Sequence, residues 1–165
     1  PDCVMEVHLM VSNPQDYIRS MASSGCDMLS FHIDSTSFVR RTLSEIKENG
    51  MKAGIALNPS QRIDIIEPFA NMLDHIVFMS VEPGFAGQSF LPGSIERLRQ
   101  LSDFRAQNNL SFQIIVDGGA HYGILKDLIV NGCDAVVTNI YTIFNQPDGI
   151  ISACKRFEET VRSIT

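Results

Sequence analysis

The feature that most constrains this chain is an alternation repeated six times. A short apolar run of strand length is followed each time by a longer segment carrying helix signals. Strands are expected at about residues 4–11, 28–32, 52–57, 75–80, 111–117 and 135–139. The first run is apolar on nearly every residue, as a strand covered on both faces is. Helices are expected at about 13–24, 37–49, 63–71, 94–109, 122–131 and 149–164. Asn13-Pro14 supplies an N-cap and a first-turn proline. Gly25, Gly50 and Gly132 stop three of the helices. A weak internal repeat, Ser24-Gly25-Cys26-Asp27, Asn49-Gly50-Met51-Lys52 and Asn131-Gly132-Cys133-Asp134, marks a helix end followed by a polar lead-in to a strand. Strict alternation with buried strands means a parallel α/β sheet, either open and doubly wound or closed into a barrel. No GxGxxG follows the first strand, which weakens a dinucleotide-binding reading.

One domain, residues 1–165, is expected from the length. A net charge of −6 without a basic cluster argues against nucleic-acid binding. No run approaches the roughly 18 apolar residues of a membrane span, and no charged-then-apolar leader opens the sequence. Cys3, Cys26, Cys133 and Cys154 show no CxxC spacing and are read as reduced packing residues of a cytoplasmic protein.

Candidate chemistry collects at the strand ends. Met79 to Phe90 places Pro83, Gly84 and Gly87 in a strand-to-helix loop. Such a loop is either a tight turn or a place where backbone N–H groups and the following helix end meet an anion. His8 lies in the apolar run Glu6-Val7-His8-Leu9-Met10-Val11, and Asp117 closes Ile114-Ile115-Val116 ahead of Gly118-Gly119. A carboxylate after three β-branched residues is poorly solvated and needs a partner or a metal. His32 and Asp34 are read as a structural strand-end pair, and His75 and His121 as surface residues.

The wording of these stretches is more specific than their composition. MSVEPGFAGQSF, HLMVSNPQDYI, GIALNPS and IIVDGGA resemble, in order and spacing, motifs of the ribulose-phosphate 3-epimerase family. The resemblance implies a TIM (β/α)8-type, ribulose-phosphate-binding barrel with about six of its eight βα units in this chain. The chain opens almost inside a strand and lacks a starting methionine, so it is expected to be N-terminally incomplete. The resemblance further implies His8 and Asp117 as ligands of a divalent cation (Zn, Fe, Mn or Co). It makes Asp117 a catalytic proton donor and acceptor. His8, Met10, Met79, Gly84, Phe85, Ala86, Gly87, Gly118, Gly119, Asn139 and Ile140 are then the substrate-binding positions. The implied reaction is epimerisation at C3 of a ketose phosphate, ribulose 5-phosphate or a close analogue, through an enediolate. The expected partner is a small-molecule sugar phosphate, and a homo-oligomer is expected.

Three departures stand beside the likeness. The family's strand-1 serine and its HxDxMDG segment, which supplies a metal-binding His and a second catalytic Asp, are absent from the sequence. Ala86 replaces a glycine of the usual GFGG, a mild change. Asn139 and Ile140 stand where relatives carry Gly followed by Ser or Thr. A decarboxylase would favour an Asp-x-Lys-x-x-Asp strand and an aldolase a strand-end lysine, and neither is present. The alternative to an enzyme is a catalytically silent barrel of the same kind that binds a sugar phosphate or a partner.

Overall fold

A computed structural model describes residues 3–164. Six parallel strands lie side by side in sequence order: β1 (Glu6–Leu9), β2 (Met28–His32), β3 (Lys52–Leu57), β4 (His75–Met79), β5 (Gln113–Asp117) and β6 (Ala135–Val136). The connections are α1 (Ile18–Ser23, after a 3-10 turn at Pro14–Asp16), α2 (Val39–Glu48), a 3-10 helix at Ile63–Met72, α3 (Ser94–Gln107) and α4 (Leu125–Val130). A π turn at Ile140–Phe144 leads from β6 towards the last helix, α5 (Gly149–Ile164).

Residues two apart on a strand share a face, and partners in register share it too. One face carries Leu29, Phe31, Ile55, Leu57, Ile76, Phe78, Ile114 and Val116, all fully buried in the large core that also takes Ile18, Leu43, Ile46, Leu98 and Leu101 from the helices. The other face carries Glu6, His8, Ser30, His32, Gly54, Ala56, His75, Val77, Met79 and Asp117. The polar residues are therefore on the concave side, away from the helices.

The repeated lead-in before the strands has a physical use. Asp27 accepts a 2.8 Å hydrogen bond from the Met5 N–H, and Asp134 one of 2.8 Å from the Ile114 N–H. Asp74, ahead of β4, does the same for the Ala53 N–H at 2.8 Å. In each case the carboxylate satisfies the lower backbone end of the preceding strand, so the parallel neighbours begin at matched heights.

Four expectations need correction. The first strand is short and half-exposed rather than covered on both faces: Val4 and Met5 are exposed because β1 is an edge of the sheet. Asn13 precedes a 3-10 turn and makes no side-chain cap. Strand β6 stops at Val136 because Asn139 starts the π turn three residues later. Cys26 is buried and Cys133 half-buried as expected, but Cys3 and Cys154 are exposed rather than packed in the core.

Candidate active site

The upper layer of the concave face holds three polar side chains. His8 Nε2 lies 2.9 Å from His32 Nε2, with the rings 4.9 Å apart and tilted by 31°. His8 Nδ1 lies 3.7 Å from Asp117 Oδ2. Burial first, and then the neighbouring His8, hold the His32 pKa below the ordinary histidine value, so its ring is neutral near pH 7. His32 is thus not a detached strand-end residue but a direct partner of His8. The signal for it was two histidines near the C-terminal ends of adjacent strands, on the same face and two residues apart in register.

A lower layer lies beneath. His75, read as a surface residue, is fully buried. Its register partner on β3 is Gly54, where a Cβ would lie 2.3 Å from His75 Nε2. The missing side chain is the space the imidazole occupies. His75 Nε2 lies 3.6 Å from Glu6 Oε1, and Ser30 Oγ donates to the same oxygen at 2.7 Å. Burial opposes the Glu6 charge, but the nearby His75 ring and the hydrogen bond from Ser30 outweigh it and the pKa sits below the usual carboxylate value. His121 is exposed, as read.

Above these layers opens a cavity of about 460 Å³. Met10, Met79, Gly84, Phe85, Ala86, Gly87, Asp117, Gly118, Gly119, Asn139 and Ile140 all line it. Met79 is buried with Ala56, Val77 and Val81, whereas Met10 and Phe85 are exposed at the rim. A shallower hollow beside it takes His32, Asp34 and Asn58 and shares Met10, Pro83 and Gly84. The start of α3 is not in the cavity lining. The Leu91 N–H donates back to the Ser80 carbonyl, so 91–93 turn the chain away before the helix begins at Ser94.

The glycine loop is held from within. Gln88 Nε2 donates to the carbonyls of Glu82 and Phe85. The N–H groups of Gly84, Phe85, Ala86 and Gly87, and of Gly118 and Gly119, meet no acceptor among the described residues. Gly118 and Gly119 have positive φ of 117° and 59°. A Cβ there would lie 2.4 Å from Val81 Cγ2 and 2.4 Å from the Phe90 backbone nitrogen respectively. They are glycines because the loop crosses them closely, whatever they bind. Ser80, which drew no attention in the sequence, ties this junction: its hydroxyl donates to the carbonyls of Asp117 (2.9 Å) and Gly118 (2.7 Å).

At the β6 end the Tyr141 N–H donates to Asn139 Oδ1 at 2.8 Å, and the Asn139 N–H to Thr142 Oγ1 at 3.0 Å. Asn139 therefore caps its own turn. Tyr141 also donates its hydroxyl to the Gly87 carbonyl, joining the β6 end to the glycine loop.

His8 Nδ1 and Asp117 Oδ2 suit a shared divalent cation. Two donors about 2 Å from a tetrahedral ion stand roughly 3.3 Å apart, and these lie at 3.7 Å. They are two donors only: among the described residues no group of three or more His, Cys, Asp or Glu is placed to hold a metal.

A parallel sheet in sequential order, curled round a polar concave face with an acid and an imidazole at the strand C-terminal ends, is a (β/α)8-barrel architecture seen in part. Solved structures agree on the fold. KGPDC from Streptococcus mutans matches 99% of this chain and 74% of its own with a TM-score of 0.76 at 13% identity. Orotidine 5'-phosphate decarboxylase from Pyrococcus horikoshii OT3 matches 96% of this chain and 74% of its own with a TM-score of 0.65 at 19% identity. The chain belongs to the ribulose-phosphate 3 epimerase family, whose model matches residues 1–143. It is 40% identical over 133 residues to ribulose-phosphate 3-epimerase of Aquifex aeolicus (strain VF5), covering 81% of this chain and 60% of the relative. The enzyme of the same name from Escherichia coli (strain K12) is 35% identical over 144 residues, 87% of this chain and 64% of the relative. The chain thus spans about three-fifths of the length of these relatives.

Proposed function

We propose that this chain supplies the His8 and Asp117 side of an epimerase site acting at C3 of a ketose phosphate, interconverting ribulose 5-phosphate and xylulose 5-phosphate or a close analogue. The observation that carries the reading is the approach of His8 Nδ1 to Asp117 Oδ2 at 3.7 Å, beneath a cavity that Asp117 lines together with two glycine turns.

The C3 proton of such a sugar is acidified by the neighbouring C2 carbonyl. Asp117, at the end of β5 and lining the cavity, takes this proton and leaves an enediolate. A second acid on the opposite face returns a proton to C3 and inverts it. In a complete barrel that acid, and further metal donors, would come from outside the strands described. His8 and Asp117 would hold the divalent cation. When bound, it supplies positive charge beside the oxygens on which negative charge develops. The phosphate is taken by the N–H groups around Gly84 to Gly87 and Gly118-Gly119, which have no acceptor of their own among the described residues.

One observation favours a silent, sugar-phosphate-binding relative instead. At the β6 end the Tyr141 N–H is already satisfied by Asn139 Oδ1, and Ile140 offers no hydroxyl. The two readings part in an assay of the full-length protein on ribulose 5-phosphate beside Asp117→Asn. Removing one acid–base group lowers kcat by about 10²–10⁴-fold if the protein is an epimerase. Equal background rates in both folded proteins would favour the silent reading.

A further inference from the structure

The glycine loop is restrained at its carbonyls. Gln88 Nε2 donates to the Phe85 carbonyl at 3.0 Å and to that of Glu82, and the Tyr141 hydroxyl donates to that of Gly87. The N–H groups of Ala86 and Gln88, which share peptide units with Phe85 and Gly87, meet no acceptor among the described residues. A peptide unit is planar. Anchoring the Phe85 carbonyl therefore fixes the Ala86 N–H, and anchoring the Gly87 carbonyl fixes the Gln88 N–H. The first anchor comes from within the loop. The second comes from a residue 54 positions on. Among the described residues, it is the one hydrogen bond that reaches 82–88 from elsewhere in the chain. Gly84 and Gly87, both at positive φ, leave the loop little stiffness of its own.

An anchor works from a fixed post, and the turn that carries Tyr141 is one. Asn139 Nδ2 donates to the Ala120 carbonyl at 3.2 Å, beside Gly118-Gly119. Tyr122 donates its hydroxyl to the Thr142 carbonyl at 3.1 Å, and Gln146 Nε2 donates to the Tyr141 carbonyl at 2.9 Å. Ile140 stands against the loop as well, its Cδ1 3.5 Å from where a Gly87 Cβ would lie. Loop and turn line one cavity, through Gly87 and Gln88 on one side and Ile140 and Tyr141 on the other.

We propose that Tyr141 is a positioning residue for ligand binding: its hydroxyl latches the glycine loop to the β6 turn and holds the Ala86 and Gln88 N–H groups ready for a phosphate. The phosphate as ligand rests on the proposed epimerase site; the latch itself does not. Donors held in place bind more tightly because less freedom is lost on binding. The latch belongs to the phosphate grip rather than to the chemistry at C3, so it acts on KM and leaves kcat.

The test is Tyr141→Phe in the full-length protein, which removes one oxygen and keeps the ring. Relaxation of ¹⁵N without substrate reads the latch directly. The order parameters of the Ala86 and Gln88 amides are expected at about 0.85 in the wild type and below about 0.6 in the variant. Tyr122→Phe deletes a tyrosine–carbonyl bond of the same turn that does not reach the loop, and should leave both values unchanged. In Tyr141→Phe, KM for ribulose 5-phosphate and Kd for inorganic phosphate should both rise roughly three- to tenfold, the worth of one hydrogen bond, with kcat unchanged. Order parameters left at the wild-type values by Tyr141→Phe would overturn the proposal, as would an equal loss in Tyr122→Phe. A loosened loop with KM and the phosphate Kd both unchanged would overturn the binding role. A wild type without epimerase activity would sink the proposed function, while the order parameters and the phosphate Kd would still decide the latch.

Discussion

His8 Nδ1 on β1 lies 3.7 Å from Asp117 Oδ2 on β5, although three strands separate them in the sheet. In a flat sheet, four strand spacings would put their backbones roughly 19 Å apart. The contact measures how far the sheet curls, and it explains why the polar residues face inward: only the concave face brings distant strands together. The curl also depends on close crossings at the rim.

Those crossings predict unequal costs for glycine substitutions. Gly119→Ala pushes a Cβ against the Phe90 backbone, which cannot rotate away, and at positive φ. We expect about 3 kcal/mol of lost stability. Gly84→Ala meets no atom within 4 Å and bears backbone strain alone, at about 1 kcal/mol. Urea midpoints of the two variants check the order, and equal losses would contradict the packing account.

The buried His75 predicts a suppressor. Gly54→Ala places a Cβ 2.3 Å from His75 Nε2 and forces the ring out of its layer. A loss of about 1–3 kcal/mol is expected. In a His75→Val background the same change should cost under about 1 kcal/mol, because the branched side chain vacates that space. An additive double mutant would show that the two residues do not share the site.

At the β6 end, Asn139 already satisfies the Tyr141 N–H, and the Asn139 and Ile140 side chains narrow the approach. The double change Asn139→Gly, Ile140→Ser should free that amide and add a hydroxyl. KM for ribulose 5-phosphate should then fall by roughly ten- to a hundred-fold, the worth of a charge-assisted hydrogen bond. An unchanged KM with good activity in both proteins would remove this strand end from the phosphate grip.

Thiol reactivity should divide the cysteines by position. Burial pushes the Cys133 thiol up to about 11, so almost none of it is thiolate at pH 8. Its alkylation in the native protein should rise only as the pH approaches that value. Exposed Cys3 and Cys154 should react with iodoacetamide first and buried Cys26 last. Mass spectrometry of timed samples reads the order, and early loss of Cys133 at pH 8 would contradict it.

Six strands in sequential order were legible because apolar runs and glycine stops are local signals, and His8, Asp117 and the glycine loops carried their motifs with them. What was not legible depended on neighbours. Val4 and Met5 read as buried, but burial belongs to a strand's position, and β1 is an edge. His75 read as a surface residue because nothing local reveals that Gly54 lies opposite it. The early stop of β6 followed from the side chain of Asn139 bonding its own turn, which a run of apolar residues conceals. His32 and Asp34 read as a structural strand-end pair because nothing local reveals that His8 lies against the one and Asn58, more than twenty residues away, against the other.

The central claim is that Asp117 removes the C3 proton of a ketose phosphate, and solvent exchange at C3 tests it most directly. Full-length protein with a divalent cation is incubated with ribulose 5-phosphate in D₂O and followed by NMR. Deuterium should enter C3 as xylulose 5-phosphate appears, and Asp117→Asn should slow both by about 10²–10⁴-fold. Neither exchange nor conversion by the folded wild-type protein, or exchange at C3 that Asp117→Asn leaves at the wild-type rate, would contradict the account.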